Sequence, residues 1–389
     1  MAKVALVTGG NGITGSAITE YLVSQTTKEE WRKIIVTSRS PALLPLDDPR
    51  LIFIALDFTK SANDLVQDMN ITCSDVTHAF FSSYVHQDNF SDLAAANCFL
   101  FENFLTALIK IAPSLQNVTL QTGGKHYDLH LKPVSTPVRE EDCVPETKSD
   151  NFYHSQQFLL ASKQRQSTWS YNVIRPQAII GVAYGPNGMN SALCFAVYFT
   201  ICSHLNIEAK MLTNERNWGG AEDVSASRLI ADLSVFTATN PRCANEAFNA
   251  TNGDHFLWRY MWPRLAAYFG AYVSSEQVFT EEASYSAKVG SFVQEKTFVD
   301  WARDKRKVWD DICDSQGMPN AKATFDSATW AYQDWVFRRT WTSTLSMNKA
   351  RRFGWSGWAD SYECFVETFL RFERMGIIPP RKPQRSLPN

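Results

Sequence analysis

Three short stretches carry residues whose types and spacing can do chemistry. In the first, Thr8-Gly9-Gly10-Asn11-Gly12-Ile13-Thr14-Gly15, the glycines at 9, 12 and 15 form a GxxGxxG pattern behind an apolar run. At a strand-to-helix turn the first glycine permits the tight bend and the second lets backbone approach a pyrophosphate. The third brings the helix close to the sheet, and the helix N-terminus faces the phosphates. The second stretch, Thr37-Ser38-Arg39-Ser40, ends the next β-branched run. An acidic residue there would accept from the ribose 2′-hydroxyl of NAD. Arg39, with Ser38 or Ser40 adding a donor, instead suits a 2′-phosphate and hence NADPH. A solvated loop arginine is the plain alternative. The third feature is a phenol that lacks its usual partner. Tyr153-His154-Ser155-Gln156-Gln157 has the tyrosine of a Tyr-x-x-x-Lys pair but glutamine in place of the lysine. A substitute cation stands in Gln121-Thr122-Gly123-Gly124-Lys125-His126-Tyr127, just after another strand-like run.

These groups need a frame that brings them to one edge. Strand-like runs occur at 4–8, 34–38, 51–56, 79–83, 118–122 and 172–175, with helical stretches such as 16–25 and 94–111 between several of them. Continuous apolar strands separated by helices predict a doubly wound parallel sheet covered on both faces. Beyond about residue 190 helical patterning takes over, and ten of the twelve tryptophans lie there. Most of these are expected to pack helix on helix; some line a hydrophobic pocket. The division predicted is a Rossmann domain over 1–190 with a strand returning near 245–252. A smaller, mainly helical capping region is expected over 191–244 and 253–389. Asp57-Phe58, after the third strand, is placed to flank an adenine, with a strand-terminating aspartate the equal alternative.

Several segments together resemble the progesterone 5β-reductase / iridoid synthase-like (PRISE) family of short-chain dehydrogenases. They are LQTGGKHY (120–127), DNFYHSQQ (150–157), IRPQAIIG (174–181), NEAFNATNGDHFLW (245–258) and MNKARRFGWSGW (347–358), which in order and spacing span nearly the whole chain. The resemblance implies an extended Rossmann fold and makes Lys125 and Tyr153 the catalytic pair. It places Asn11, Gly12 and Ile13 at the pyrophosphate, and Arg39 and Ser40 at the 2′-phosphate. Asp57 and Phe58 then fall near the adenine, Ser83 and Tyr84 after the fourth strand, and Thr122 and Ile179 nearer the nicotinamide. Gly188 and Met189 belong to a loop after Gly181 that touches cofactor and pocket, and that loop departs from the family's usual sequence. His154 and Gln156-Gln157 also replace the family's residues after NFY. Phe152 and Trp355 are expected pocket walls.

The activity implied is NADPH-dependent 1,4-reduction of a small hydrophobic enone or enal. Tyr153 would donate to the carbonyl oxygen, and Lys125 would lower the phenol's pKa. A 1,2-carbonyl reductase and a cofactor-holding cyclase or isomerase are the alternatives. Retention of both Lys125 and Tyr153 argues against a sensor without turnover. His126 and His154 flank the pair and are expected to be packed side chains.

Composition excludes other classes. The 389 residues carry 38 basic and 40 acidic side chains, a net charge of −2, which leaves no electrostatic footprint for nucleic acid. No uninterrupted apolar run reaches the ~18 residues of a membrane helix, and the N-terminus has no signal-peptide pattern. Eight cysteines without a CxxC pair point to reduced thiols rather than a metal or disulfide framework. A cytoplasmic protein is expected, with a homodimer as the default oligomer.

Overall fold

The computed structural model describes residues 2–86, 90–142, 151–185, 187–274 and 276–381. Asp150, Pro186 and the tail beyond 381 lie outside the described residues. Seven strands build one parallel sheet: β1 (Lys3–Thr8), β2 (Trp31–Ser38), β3 (Leu51–Ala55), β4 (His78–Phe81), β5 (Asn117–Gln121), β6 (Ser170–Pro176) and β7 (Glu246–Ala250). Their order is β7-β6-β5-β4-β1-β2-β3, and every pairing is parallel. Strand order therefore reverses between β1 and β4, and in such sheets a ligand crevice opens at the carboxyl ends of those two strands.

Alternation along β1 shows why the strand reads as one apolar run. Val4 and Leu6 belong to a core with α2 (Ala62–Cys73) and α3 (Phe90–Ile111), whereas Ala5 and Val7 belong to a core with α1 (Ile13–Gln25). Both faces are covered, so the stretch from Val4 to Val7 is apolar throughout. Helix α3 contributes Phe101, Phe104, Leu105 and Leu108, all buried. Its span Asp92–Ile111 is long and apolar enough to cross a membrane by length and composition, with half of that window buried against the protein.

Strand β4 stops two residues before the sequence pattern does. The amides of Ser82 and Ser83 turn to Thr8 Oγ1 (3.1 and 3.2 Å), and Ser82 Oγ donates to the Thr8 carbonyl (2.6 Å). That knot joins the carboxyl ends of the two central strands.

Two further helices matter to the sheet half. Helix α4 (Phe152–Gln164) carries Tyr153 at its first turn, and α5 (Ser191–Leu205) opens the C-terminal half. A correction concerns α6 (Ser227–Thr239), which falls in the stretch expected to cap the substrate. Its Ala231, Val235 and Ala238 instead pack with Ala5, Val7 and Ala17 in the core under α1. The small side chains are what allow that close approach.

The tryptophan-rich half forms its own core around α5 and α7 (Trp258–Tyr268), where Phe199 and Trp262 sit 4.6 Å apart and the Trp262 indole donates to the Ala209 carbonyl (2.8 Å). It also supplies α8 (Trp330–Phe337) and α9 (Ser361–Arg374). Two polar joints fasten this half to α1. Asp232 accepts from the Tyr21 hydroxyl and the Trp355 indole, both at 2.8 Å. Arg371 on α9 donates to Glu20 (2.6 Å) and to the Tyr184 hydroxyl (2.9 Å), which itself donates to Glu20 (2.9 Å).

Candidate active site

A cavity of about 820 Å³ runs from the β1–α1 turn, past the ends of β4 and β5, to α8. That volume is ordinary for a ligand site. At its first end Gly9 has φ 68°, and a Cβ there would stand 2.9 Å from the Ser82 carbonyl oxygen. A Cβ on Gly15 would stand 2.3 Å from the Gly9 carbonyl oxygen. Gly15 therefore presses α1 against the turn and does not line the cavity, so its part is packing rather than contact. Gly12 caps α1 without any side-chain hydrogen bond, which leaves the first-turn amides for an anion. The residues present thus fit a dinucleotide pyrophosphate.

Gly9, Gly12, Ile13, Ser38, Arg39, Ser40, Phe58, Ser83, Tyr84, Thr122, Ile179, Gly188 and Met189 all line this cavity. Asn11 lines it too, but its side chain is engaged elsewhere. Nδ2 donates to Ser38 Oγ (3.0 Å), Ser40 Oγ (3.1 Å) and the Pro41 carbonyl (2.8 Å), while Oδ1 accepts from the Leu43 amide (3.0 Å). Asn11 therefore shapes the Ser38–Ser40 loop rather than reaching for phosphate. The exposed Arg39 guanidinium has no hydrogen bond or ion pair among the described residues. Asp57 does not line the cavity; its Oδ1 accepts from the Thr59 amide and hydroxyl (3.0 and 2.8 Å), as in the strand-terminating alternative.

Lys125 and Tyr153 line the same cavity, and their backbones share an anchor. Lys125 sits in a single turn, Gly124–Tyr127, directly after β5. Asn151 caps α4 by accepting from the Tyr153 amide (3.2 Å) and donates from Nδ2 to the Lys125 carbonyl (2.6 Å). One amide thus fixes both elements. His154 on α4 also contacts the His126 carbonyl through Nε2 (2.9 Å), a second link between them. The Tyr153 hydroxyl stands 3.5 Å from where a Cβ on Gly123 would be, at the carboxyl edge of the sheet. Lys125 Nζ lies 4.8 Å from the Trp335 ring centroid, a cation–π contact, and forms no ion pair among the described residues.

Burial dominates the electrostatics. It holds Lys125 below the ordinary lysine value and pushes the Tyr153 phenol above the ordinary tyrosine range, with the Tyr84 and Tyr332 phenols adding to the rise. The expected lowering of Tyr153 by Lys125 is not what happens: burial sets the direction, and Lys125 is not among the groups acting on the phenol. The phenol is therefore held protonated as a donor. His126 is driven to about 2 by burial, then by Arg175 and His154, so it stays neutral and belongs to the packing. Gln157, standing where the usual lysine would be, accepts from Arg175 Nη2 (2.8 Å). A lysine at 157 would press a second cation on this buried guanidinium, which also donates to the Tyr127 hydroxyl (2.9 Å).

Phe152 lines the cavity beside Tyr84, ring centroids 6.2 Å apart. Trp355 does not. It is 4% exposed within the C-terminal core and commits its indole to Asp232, so the pocket-wall expectation is overturned. Its place is taken by residues that sequence reasoning passed over: Tyr332 and Trp335 on α8, Gln177 after β6, and the Glu222–Arg339 pair. Tyr332 and Trp335 are three residues apart and share a helix face, but so do many core aromatics in this half, and nothing in the spacing separates them.

The comparisons with known proteins agree with this geometry. The PRISE-like Rossmann-fold domain matches residues 5–326. The chain belongs to that family. It is 53% identical to the short-chain dehydrogenase gsfE of Penicillium aethiopicum, over 97% of this chain and all of that one. It is 30% identical to the (S)-8-oxocitronellyl enol synthase ISY1 of Nepeta racemosa, over 97% and 93% of the two chains. Among solved structures, the UDP-glucose 4-epimerase of Thermotoga maritima superposes with a TM-score of 0.63 at 14% identity, covering 96% and 99% of the chains, a likeness of fold alone. Its relatives make this PRISE-like chain an oxidoreductase of the short-chain dehydrogenase type.

Proposed function

We propose that this chain reduces the C=C bond of a small hydrophobic α,β-unsaturated carbonyl compound with NADPH. The observation that carries the reading is the protonated Tyr153 phenol and unpaired Lys125 in one cavity, continuous with an uncapped helix N-terminus and a free Arg39. Arg39 with Ser40 would take the 2′-phosphate, and the α1 amides the pyrophosphate. NADPH, when bound, supplies the hydride that adds to the substrate's β-carbon. The chain's own residues manage the charge that then appears on the carbonyl oxygen. Tyr153 donates a hydrogen bond to it, and Lys125 adds positive potential. A preorganised donor of this kind is worth roughly 2.7–4 kcal/mol of barrier. The raised phenol pKa suits donation to an enolate without loss of the proton. A proton from solvent then completes the α-carbon. Named relatives act on comparable chemistry: an Arabidopsis thaliana relative at 28% identity is a 3-oxo-Δ4,5-steroid 5β-reductase.

The test is NADPH oxidation at 340 nm with 2-cyclohexen-1-one, progesterone and citral-type enals, with product structures by mass and NMR. A saturated ketone or aldehyde is the expected product. An allylic alcohol would replace the reading with 1,2-reduction, and tight NADPH binding without oxidation would favour a cyclase or isomerase.

A further inference from the structure

The far wall of the cavity contains an ion pair that the chemistry at Tyr153 does not need. Glu222 lies in a two-residue strand, Ala221–Glu222, paired antiparallel with Phe256–Leu257. Its Oε1 accepts from Arg339 Nη2 at 2.6 Å, and the two side chains are 7% and 12% exposed. Arg339 Nη1 goes to Ser343 Oγ (2.7 Å). Both residues line the same cavity as Tyr153 and Lys125. Arg339 lies close enough to Tyr332 and His130 to bear on both electrostatically. His130 in turn stands 6.0 Å from Trp335, the ring over Lys125. The pair and the Tyr153–Lys125 centre thus share the walls of one cavity.

Taking two charges out of water carries a penalty of several kcal/mol per ion unless every remaining lone pair and proton is matched. Here they are not. Glu222 Oε2 accepts no hydrogen bond among the described residues, and Arg339 Nε and the Gln177 carbonyl oxygen Oε1 are buried without a partner. Gln177 spends its amide nitrogen on Asp223 Oδ1 (2.9 Å) and the Ser343 carbonyl (2.8 Å), which holds its unmatched oxygen beside Gly124. A clamp serving only the fold would close these valences. Two free acceptors instead stand next to a cavity whose neighbouring walls are Tyr332 and Trp335.

We infer that Glu222, oriented by Arg339, is a specificity-determining acceptor for a hydroxyl or phenol on the substrate, remote from its enone carbonyl. The substrate class is thereby narrowed to hydroxylated, largely apolar carbonyl compounds: the oxygen-bearing group meets Glu222 while the carbonyl meets Tyr153. This rests on the reductase reading above.

The test uses two probes that differ at one substituent, 4-(4-hydroxyphenyl)but-3-en-2-one and its 4-methoxy counterpart. Both substituents donate electrons to the enone, and only the first donates a hydrogen bond. Wild-type protein is expected to favour the hydroxy compound in kcat/KM on the order of tenfold or more, the effect of a hydrogen bond to a charged group. Glu222→Gln should bring that ratio towards one, with NADPH affinity, read by nucleotide fluorescence, left where it was. A wild-type ratio near one, or a ratio that survives Glu222→Gln, overturns the inference. The wild-type ratio stands by itself if the variant does not fold. If neither probe is reduced, the reductase reading fails separately, and the affinities of the two probes for the NADPH-bound protein still decide the Glu222 assignment by the same ratio.

Discussion

At the nucleotide end of the cavity the groups offered to a ligand are main-chain amides of one turn, placed by Gly9 and Gly15, with a short loop braced by Asn11. At the other end they are side chains: Tyr84, Lys125, Tyr153, Glu222, Tyr332 and Arg339, drawn from segments spread over some two-thirds of the chain. The first end is largely a local device, its turn specified by eight consecutive residues and tied to the end of β4 through Ser82 and Ser83. The second is a tertiary device that exists only once the C-terminal half has docked. In the reading proposed above, the cofactor's pyrophosphate is met by backbone geometry and its 2′-phosphate by one short loop, whereas the substrate is met by an assembly of distant parts.

The largest break in this contrast is expected at the tertiary end. Tyr153→Phe should lower kcat by about 10²-fold, the typical loss of one oxyanion donor, while fluorescence titration finds NADPH affinity unmoved. Undiminished turnover would take Tyr153 out of the chemistry. At the local end, Arg39→Ala should raise the KM for NADPH by about 10- to 100-fold and scarcely alter that for NADH, as loss of a charge-assisted contact predicts. Equal losses for both nucleotides would remove the 2′-phosphate from its assigned place. The smallest kinetic effect is expected behind the wall. Trp355→Phe deletes the hydrogen bond to Asp232 and should cost about 1–2 kcal/mol in urea unfolding, with the KM of the carbonyl substrate unchanged. A shifted KM at full stability would return Trp355 to the cavity.

The same contrast governs what could be read from sequence. All seven strands were legible, because each is a short run of mostly apolar residues, buried on both faces in the central strands and partly exposed at the β3 edge, and so were the glycine turn and the Ser38–Ser40 loop. Lys125 and Tyr153 were legible as a pair through their motifs, although the joint that sets them together, Asn151, was not. Asp57 and Trp355 went the other way. Each has the right type at the right place in the chain, and each is claimed by a neighbour, Thr59 or Asp232, that no spacing rule reveals. Tyr332, Trp335, Glu222 and Arg339 carry no local signature at all, since their roles depend on which side of a helix or short strand faces the cavity after docking.

The fastening of the C-terminal half to α1 bears on how the cavity can open. Swinging that half away from the sheet as a rigid body would have to part Trp355 from Asp232 and Arg371 from both Glu20 and Tyr184. Entry and exit of a bound molecule are therefore expected without parting the two halves, through smaller movements among the residues that line the cavity, Tyr332, Trp335, Gly188 and Met189 among them. Such a container works less like a clamshell than like a fixed vessel with a movable stopper.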